Sequence, residues 1–192
     1  MPRFVDPPWE AELDVPRTLA AIAPGSTIAG MFFLATSEAA KRRGVSLPGA
    51  HKRYLPFNFY PVSEFAPWLV VAAQQFYPDR SLRQGLRALG AAAPNVFAES
   101  VLGKVTLGSA IGVQASIDAI AKTYPINIRP SACAVSEVSA HSCVVSLDNV
   151  FHFLDSHHVG VFEGTLRHAG VTGHVSIARR SDASADLLLS WG

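Results

Sequence analysis

The sequence is short of cysteine, of charge of one sign and of long apolar runs, and each shortage excludes a class of protein. Two cysteines in 192 residues, Cys133 and Cys143, make neither a disulfide scaffold nor a zinc-ligand pattern, and free core thiols are expected. Sixteen basic against fifteen acidic side chains, a formal charge of +1, give no concentrated basic surface, so a nucleic-acid partner is not expected. The apolar segment Trp68 to Ala73 falls far short of the roughly 20 residues a membrane span needs. Met1 to Glu10 is polar and proline-rich, without the apolar core of a signal peptide, and a soluble cytoplasmic protein is the expectation. Catalytic signatures are missing too. Gly103-Lys104-Val105-Thr106 lacks the upstream glycine of a phosphate loop, and there is no nucleophile elbow and no paired-histidine zinc helix. No enzyme and no metal site are predicted.

What is present is an apolar fraction of 49%, ample for one core of its own. Residues 1–13 read as an arm: Pro2, Pro7 and Pro8 prevent regular structure, while Phe4 and Trp9 can tack it to a surface. Residues 14–192 then form a single α+β domain, with a helical part over 14–125 and a sheet module over 131–192. A short helix is predicted from Arg17 to Ile22 behind Pro16, an edge or extra strand over Ser26 to Phe33, and a helix capped by Thr36 or Ser37 and ended by Gly44. Val45 to Tyr60 is an aromatic loop folded over the core. The clusters Lys41-Arg42-Arg43 and His51-Lys52-Arg53 belong to a solvated surface.

The helix from Val62 to Phe76 places Val62, Phe65, Leu69, Ala72, Ala73 and Phe76 on one face. The next opens at Ser81, with Gln84 at capping-box spacing, and turns Leu82, Leu86, Leu89, Ala93 and Val96 inward. Helical pieces follow over Ala98 to Leu107 and Val113 to Thr123, the second facing inward with Ile117, Ile120 and Ala121. Tyr124-Pro125 to Pro130 is an extended link. The module after it is predicted as strand, strand, helix, strand, strand: Cys133 to Val138, Ser142 to Leu147, Ser156 to Ala169, His174 to Arg179 and Ala185 to Trp191. Gly160 and Gly164, one turn apart, allow a close helix contact, and a homodimer is one use for it.

The one concentration of titratable groups runs from Phe151 to His158. Asp155 or Ser156 as a helix cap, followed by two partly exposed histidines, is the structural expectation; a metal, haem or proton-transfer role for His157 or His158 is the functional one. Neighbours on a regular helix point about 100° apart and do not readily share a metal.

Helices, a proline link and a β-β-α-β-β module, with Val159-Gly160-Val161-Phe162-Glu163-Gly164-Thr165-Leu166 and the ending Leu187-Leu188-Leu189-Ser190-Trp191, resemble the haem nitric-oxide/oxygen-binding (H-NOX) fold and the related 4-vinyl-reductase ligand-binding domains. Gly30-Met31-Phe32-Phe33, Tyr54-Leu55-Pro56-Phe57 with Tyr60-Pro61, and Val159 to Gly164 look like a family of unknown function abundant in myxobacteria. The resemblance implies an N-terminal helical part packed on an antiparallel sheet. It further implies a small-ligand-binding or sensory domain; the candidate walls of such a site are Phe65, Trp68, Leu69, Phe97 and Ile117, with Tyr124 and His157 as polar contacts, and the alternative for each is a filled core. The haem branch carries a histidine on the helix before the proline link and a Tyr-x-Ser-x-Arg motif in the module. Here Ile117 stands near the histidine's place, no histidine occurs between His51 and His141, and the motif is missing. Haem is therefore not expected; His157 and His158 are the only candidates to hold one. A dimeric interaction or scaffolding module without ligand is the alternative reading.

Overall fold

The computed structural model describes residues 3–49, 52–99 and 101–192. Met1 and Pro2 of the arm, His51 of the second basic cluster and Ser100 in the stretch Ala98 to Leu107 lie outside them. The chain runs α1 (Val15–Ala20), β1 (Thr27–Ala29), α2 (Gly30–Arg42), β2 (Phe59–Pro61), α3 (Val62–Phe76), α4 (Leu82–Glu99), α5 (Val101–Thr106), α6 (Val113–Asn127) and β3 (Ile128–Arg129). The module follows: β4 (Ala132–Ser136), β5 (Ser142–Asp148), a π-turn (Leu154–His158), α7 (Val159–His168), β6 (Gly173–Arg179) and β7 (Ala185–Trp191). It is the mixed fold of helices and antiparallel sheet that the sequence predicts.

The main sheet has the order β4-β5-β7-β6, with all neighbours antiparallel. Strict alternation sets its inner face. Val175, Leu189 and Cys143 line up across three strands, and Ile177, Leu187, Val145 and Val135 across four. All of these but the half-buried Val135 are buried. The outer face carries polar groups such as the Ser146–Asp186 hydrogen bond (2.7 Å). Cys133 pairs with Leu147 and Cys143 with Leu189, so the two thiols are not opposite one another, and both are free. Burial pushes the Cys133 thiol up to about 12 and Cys143 up to about 11, which leaves both protonated and unreactive.

Helix α7 is covered on two sides. Phe162 and Leu166 are fully buried, as the apolar stripe requires. The opposite side lies against α4 at glycine distance: a Cβ at Gly160 or Gly164 would overlap the Arg87 or Ala91 carbonyl, and one at Gly90 would overlap the carbonyl of His157. The two glycines of α7 thus serve a contact within the chain and are not free for a dimer. Two ion pairs lock the same seam. Arg87 grips Glu163 through two hydrogen bonds of 2.6 Å, and Arg83 stands 2.7 Å from Asp155.

Several local expectations are corrected. Residues 26–33 form a three-residue strand, and Gly30 already begins α2, because its backbone must pass tightly under the Leu55 carbonyl where a Cβ would clash. Thr36 is accordingly inside the helix, its hydroxyl donating to the Phe32 carbonyl, and not a cap. Strand β1 pairs with both β2 and β3, making a second, three-stranded sheet. Ser81 and Gln84 do form the capping box, but α4 buries Arg83, Leu86, Gly90, Pro94 and Phe97 and leaves Val96 exposed. Helix α6 continues past Thr123 to Asn127, so Tyr124 is helical and buried. The arm is pinned at Val5, which bridges to Ile177, and at Trp9, which lies over the Arg87 guanidinium at 4.2 Å.

Candidate functional site

The turn between β5 and α7 departs from ordinary geometry. Phe153 is buried yet adopts a left-handed conformation (φ 49°, ψ 44°), which a bulky side chain rarely does. A π-turn follows, closed by the His158 amide donating to the Phe153 carbonyl (3.3 Å). Left-handed bulky residues and π-turns both concentrate at functional sites. Together they draw into the interior a segment that a regular helix would leave half in solvent.

The expectation of a helix cap with two partly exposed histidines fails at the cap and at His158 and holds for His157 alone. Asp155 and Ser156 are buried and cap nothing; Asp155 faces Arg83 at 2.7 Å and Arg179 at 3.5 Å. His152 and His158 are buried, and His157 is half-buried. The three imidazoles pack on one another. Ring centres are 4.7 Å apart for His152 and His158, 5.2 Å for His157 and His158 and 6.2 Å for His152 and His157. Tyr124 of α6 closes the cluster, its hydroxyl 2.9 Å from His158 Nδ1 and its ring stacked 5.9 Å from Phe162.

Polar bookkeeping in this cluster does not balance. His152 Nδ1, Ser156 Oγ, His157 Nδ1 and His158 Nε2 are all buried without a hydrogen-bond partner. A buried polar atom left unpartnered costs about 1–3 kcal/mol, and here four stand together. Burial also keeps the rings neutral. It pushes His152 down to about 3, helped by His157, and His157 down to about 4, partly offset by the Leu86 carbonyl. His158 lies well below the ordinary range, through burial first and the other two rings second, partly offset by the His152 carbonyl. Burial raises Tyr124 well above its usual value, so it keeps its proton. Among the described residues, no three His, Cys, Asp or Glu side chains are arranged to hold a metal ion.

The other residues singled out from the sequence lie elsewhere. Phe65, Trp68 and Leu69 are buried on α3. Phe65 and Trp68 join an aromatic knot around Phe33 (4.9 and 5.1 Å), with Tyr54 stacked on Phe33 at 4.0 Å. The Trp68 indole donates to the Pro48 carbonyl. Phe97 is buried near the end of α4, and Ile117 lies two turns before Tyr124 on α6. Of the seven residues, Tyr124 and His157 belong to the imidazole cluster. Sequence reasoning missed His152 and Ser156. No local pattern announces His152: alternation with the flanking Phe151 and Phe153 would turn it outward.

Among the described residues, no helix is long and apolar enough to cross a membrane. No curated protein matches the sequence. Solved structures do match, at identities that speak for the fold alone. An H-NOX protein from S. oneidensis in the Fe(II)NO ligation state covers 86% of this chain and 99% of its own, with TM-score 0.65 and 11% identity. The Fe(II) unliganded H-NOX protein from K. algicida covers 86% and 97%, with TM-score 0.56 and 14% identity. An oxygen-binding H-NOX domain related to soluble guanylate cyclases, in its oxygen complex, covers 84% and 89%, with TM-score 0.57 and 11% identity. The fold is thus that of the H-NOX domains. At the level of sequence, residues 21–192 match the family described as "Protein of unknown function (DUF2378)", and the chain belongs to that family.

Proposed function

We propose that this domain is a non-enzymatic small-ligand-binding or sensory module, and that the ligand registers at the cluster of Tyr124, His152, Ser156, His157 and His158. The observation that carries the reading is the set of four unpartnered polar atoms gathered in one buried place. An isolated orphan is a blemish, whereas a group of them is a set of hydrogen bonds waiting for an occupant. Support also comes from the fold, because its structural neighbours include proteins in NO-ligated and oxygen-bound states. The ligand is small, neutral and hydrogen-bonding. Surroundings that hold three imidazoles uncharged equally disfavour a cationic guest. Half-buried His157 is the point of entry.

Ligand binding here proceeds without haem. Helix α6 turns Ile117 and Tyr124 inward where a histidine would be needed. His158 Nδ1 is engaged by Tyr124, and the three ring centres stand only 4.7 to 6.2 Å apart. These residues do not fit a porphyrin. The test is native against denaturing mass spectrometry, with an absorbance spectrum of the same sample. Expected are a small adduct lost on denaturation, its absence from His157→Ala, and no Soret band. An unadorned mass for the wild-type chain removes the reading, and a Soret band removes its haem-free part.

A further inference from the structure

A second site lies outside the imidazole cluster and does not rest on its interpretation. Between α4 and α7, on the side away from the sheet, is an open cleft of about 790 Å³, within the range of about 300–1,000 Å³ common for small-molecule sites. Its floor is Ala88, Ala91 and Ala92, and three arginines face it: Arg80, Arg87 and Arg167. They are not alike. The Arg87 guanidinium is fixed from two sides, by the bidentate grip of buried Glu163 (2.6 Å for each bond) and by the Trp9 ring at 4.2 Å. A guanidinium held in one plane by a carboxylate and an aromatic face loses little entropy when its remaining N–H groups meet an oxyanion.

Arg80 and Arg167 are exposed and have no ion-pair partner among the described residues, a state they share with Arg3, Arg42, Arg43, Arg53 and Arg129; what sets them apart is that both line one cleft with Arg87. Arg80 instead rests on the Tyr77 ring at 5.2 Å. Asn95 adds an amide at the far end, its Oδ1 2.9 Å from His168 Nδ1. The opposing charges are Glu163, spent on Arg87, and Glu10 of the arm, 2.6 Å from Gln84 Nε2. Two uncompensated cations and one preset guanidinium over an alanine floor make a seat for an anion with a small apolar body.

We infer that the α4–α7 cleft binds a small phosphate ester, its phosphate on Arg80, Arg87 and Arg167 and its apolar part on Ala88, Ala91 and Ala92. The ligand is a free molecule and not a lipid headgroup, because the lining comes mostly from two helices and is made of arginine, glutamine, asparagine and alanine side chains around Tyr77 and Glu163. The experiment is a titration of the ¹⁵N-labelled full chain with phenyl phosphate, followed by amide shifts, alongside co-sedimentation with phosphatidylcholine vesicles with and without phosphatidic acid. Arg80→Ala/Arg167→Ala is the variant of choice, since neither side chain holds the fold; Arg87 is left in place because its loss would strand Glu163.

Expected are saturable shifts confined to residues 80–95 and 163–168, weakened about tenfold or more in the double variant, and stronger binding in Glu10→Gln. Unsaturable shifts, shifts unchanged by the double variant, or capture by phosphatidic acid vesicles without phenyl phosphate binding would each overturn the assignment.

Discussion

Two polar assemblies meet at the start of α7, and they are built on opposite principles. Along the α4–α7 seam, Arg87 covers both oxygens of Glu163, and Asp155 is shared between Arg83 and Arg179. One turn away, the imidazole cluster leaves four buried atoms without partners. Arg83, Asp155 and Glu163 of the first and His152 and His158 of the second are buried, so both assemblies contain groups desolvated on folding. The first recovers that cost in Coulombic and hydrogen-bond contacts. The second recovers little, and a site that holds unmet hydrogen bonds in a strained turn is one where stability has been given up for function. Stability measurements separate the two assemblies, because they respond in opposite senses to truncation.

The largest effect belongs to the seam. Asp155→Ala leaves the Arg83 guanidinium, only 10% exposed, facing an apolar methyl. Removing one member of a buried pair costs about 3–5 kcal/mol, and urea or thermal unfolding should show a loss of that size. Pairing the change with Arg83→Met should restore most of it. If Asp155→Ala alone is harmless, the seam is no better satisfied than the cluster and the contrast fails.

Acid gives the second handle, and its sign is fixed by the direction of the shifts. The three rings are held neutral in the folded protein, with His152 at about 3 and His157 at about 4 against an ordinary 6.5. The unfolded chain takes up protons below about pH 6.5 and the folded one does not. Stability is therefore complete above that pH and lost as pH falls from about 6.5 toward 4, by about 1.4 kcal/mol per pH unit for each ring. Unfolding between pH 7 and 4.5 measures the slope, and His152→Leu should flatten it by one ring's share. A flat profile in the wild type would mean the rings are charged or hydrated, contrary to their burial.

The same contrast explains which parts of the molecule were legible in the sequence. The sheet module was, because alternation such as Cys143, Val145 and Leu147 repeats over four strands and locks register. The apolar face of α3 was as well, with Val62, Phe65, Leu69, Ala72 and Ala73 all buried. Helix α4 was not. Its inner face follows regular spacing through Arg83, Leu86, Gly90, Pro94 and Phe97, but only Leu86 and Phe97 carry the large apolar side chains that a periodicity argument looks for. Close backbone approach chose that face, and Gly90 is there because the His157 carbonyl lies against it. The histidine cluster was hidden for a related reason. Adjacent histidines after a capping-type residue describe an exposed helix start, and nothing local announces a left-handed Phe153 and a π-turn that rotate them inward.

The smallest expected effect is the most discriminating. His152 is 2% exposed, its Nδ1 has no partner, and it makes no hydrogen bond to Tyr124, which belongs to His158. His152→Leu exchanges an unsatisfied ring for an apolar side chain of similar size. Where a residue is kept for structure, such a change costs stability; where an unpaired polar group is removed, it is neutral or gains about 1 kcal/mol. The second outcome is expected here, together with loss of any adduct in native mass spectra. A loss of about 2 kcal/mol or more would show that His152 is satisfied after all, by a bound water or a shifted ring, and the cluster would then be one more structural network like the seam beside it. Stability retained while binding disappears is the combination that only a site maintained for a ligand can produce.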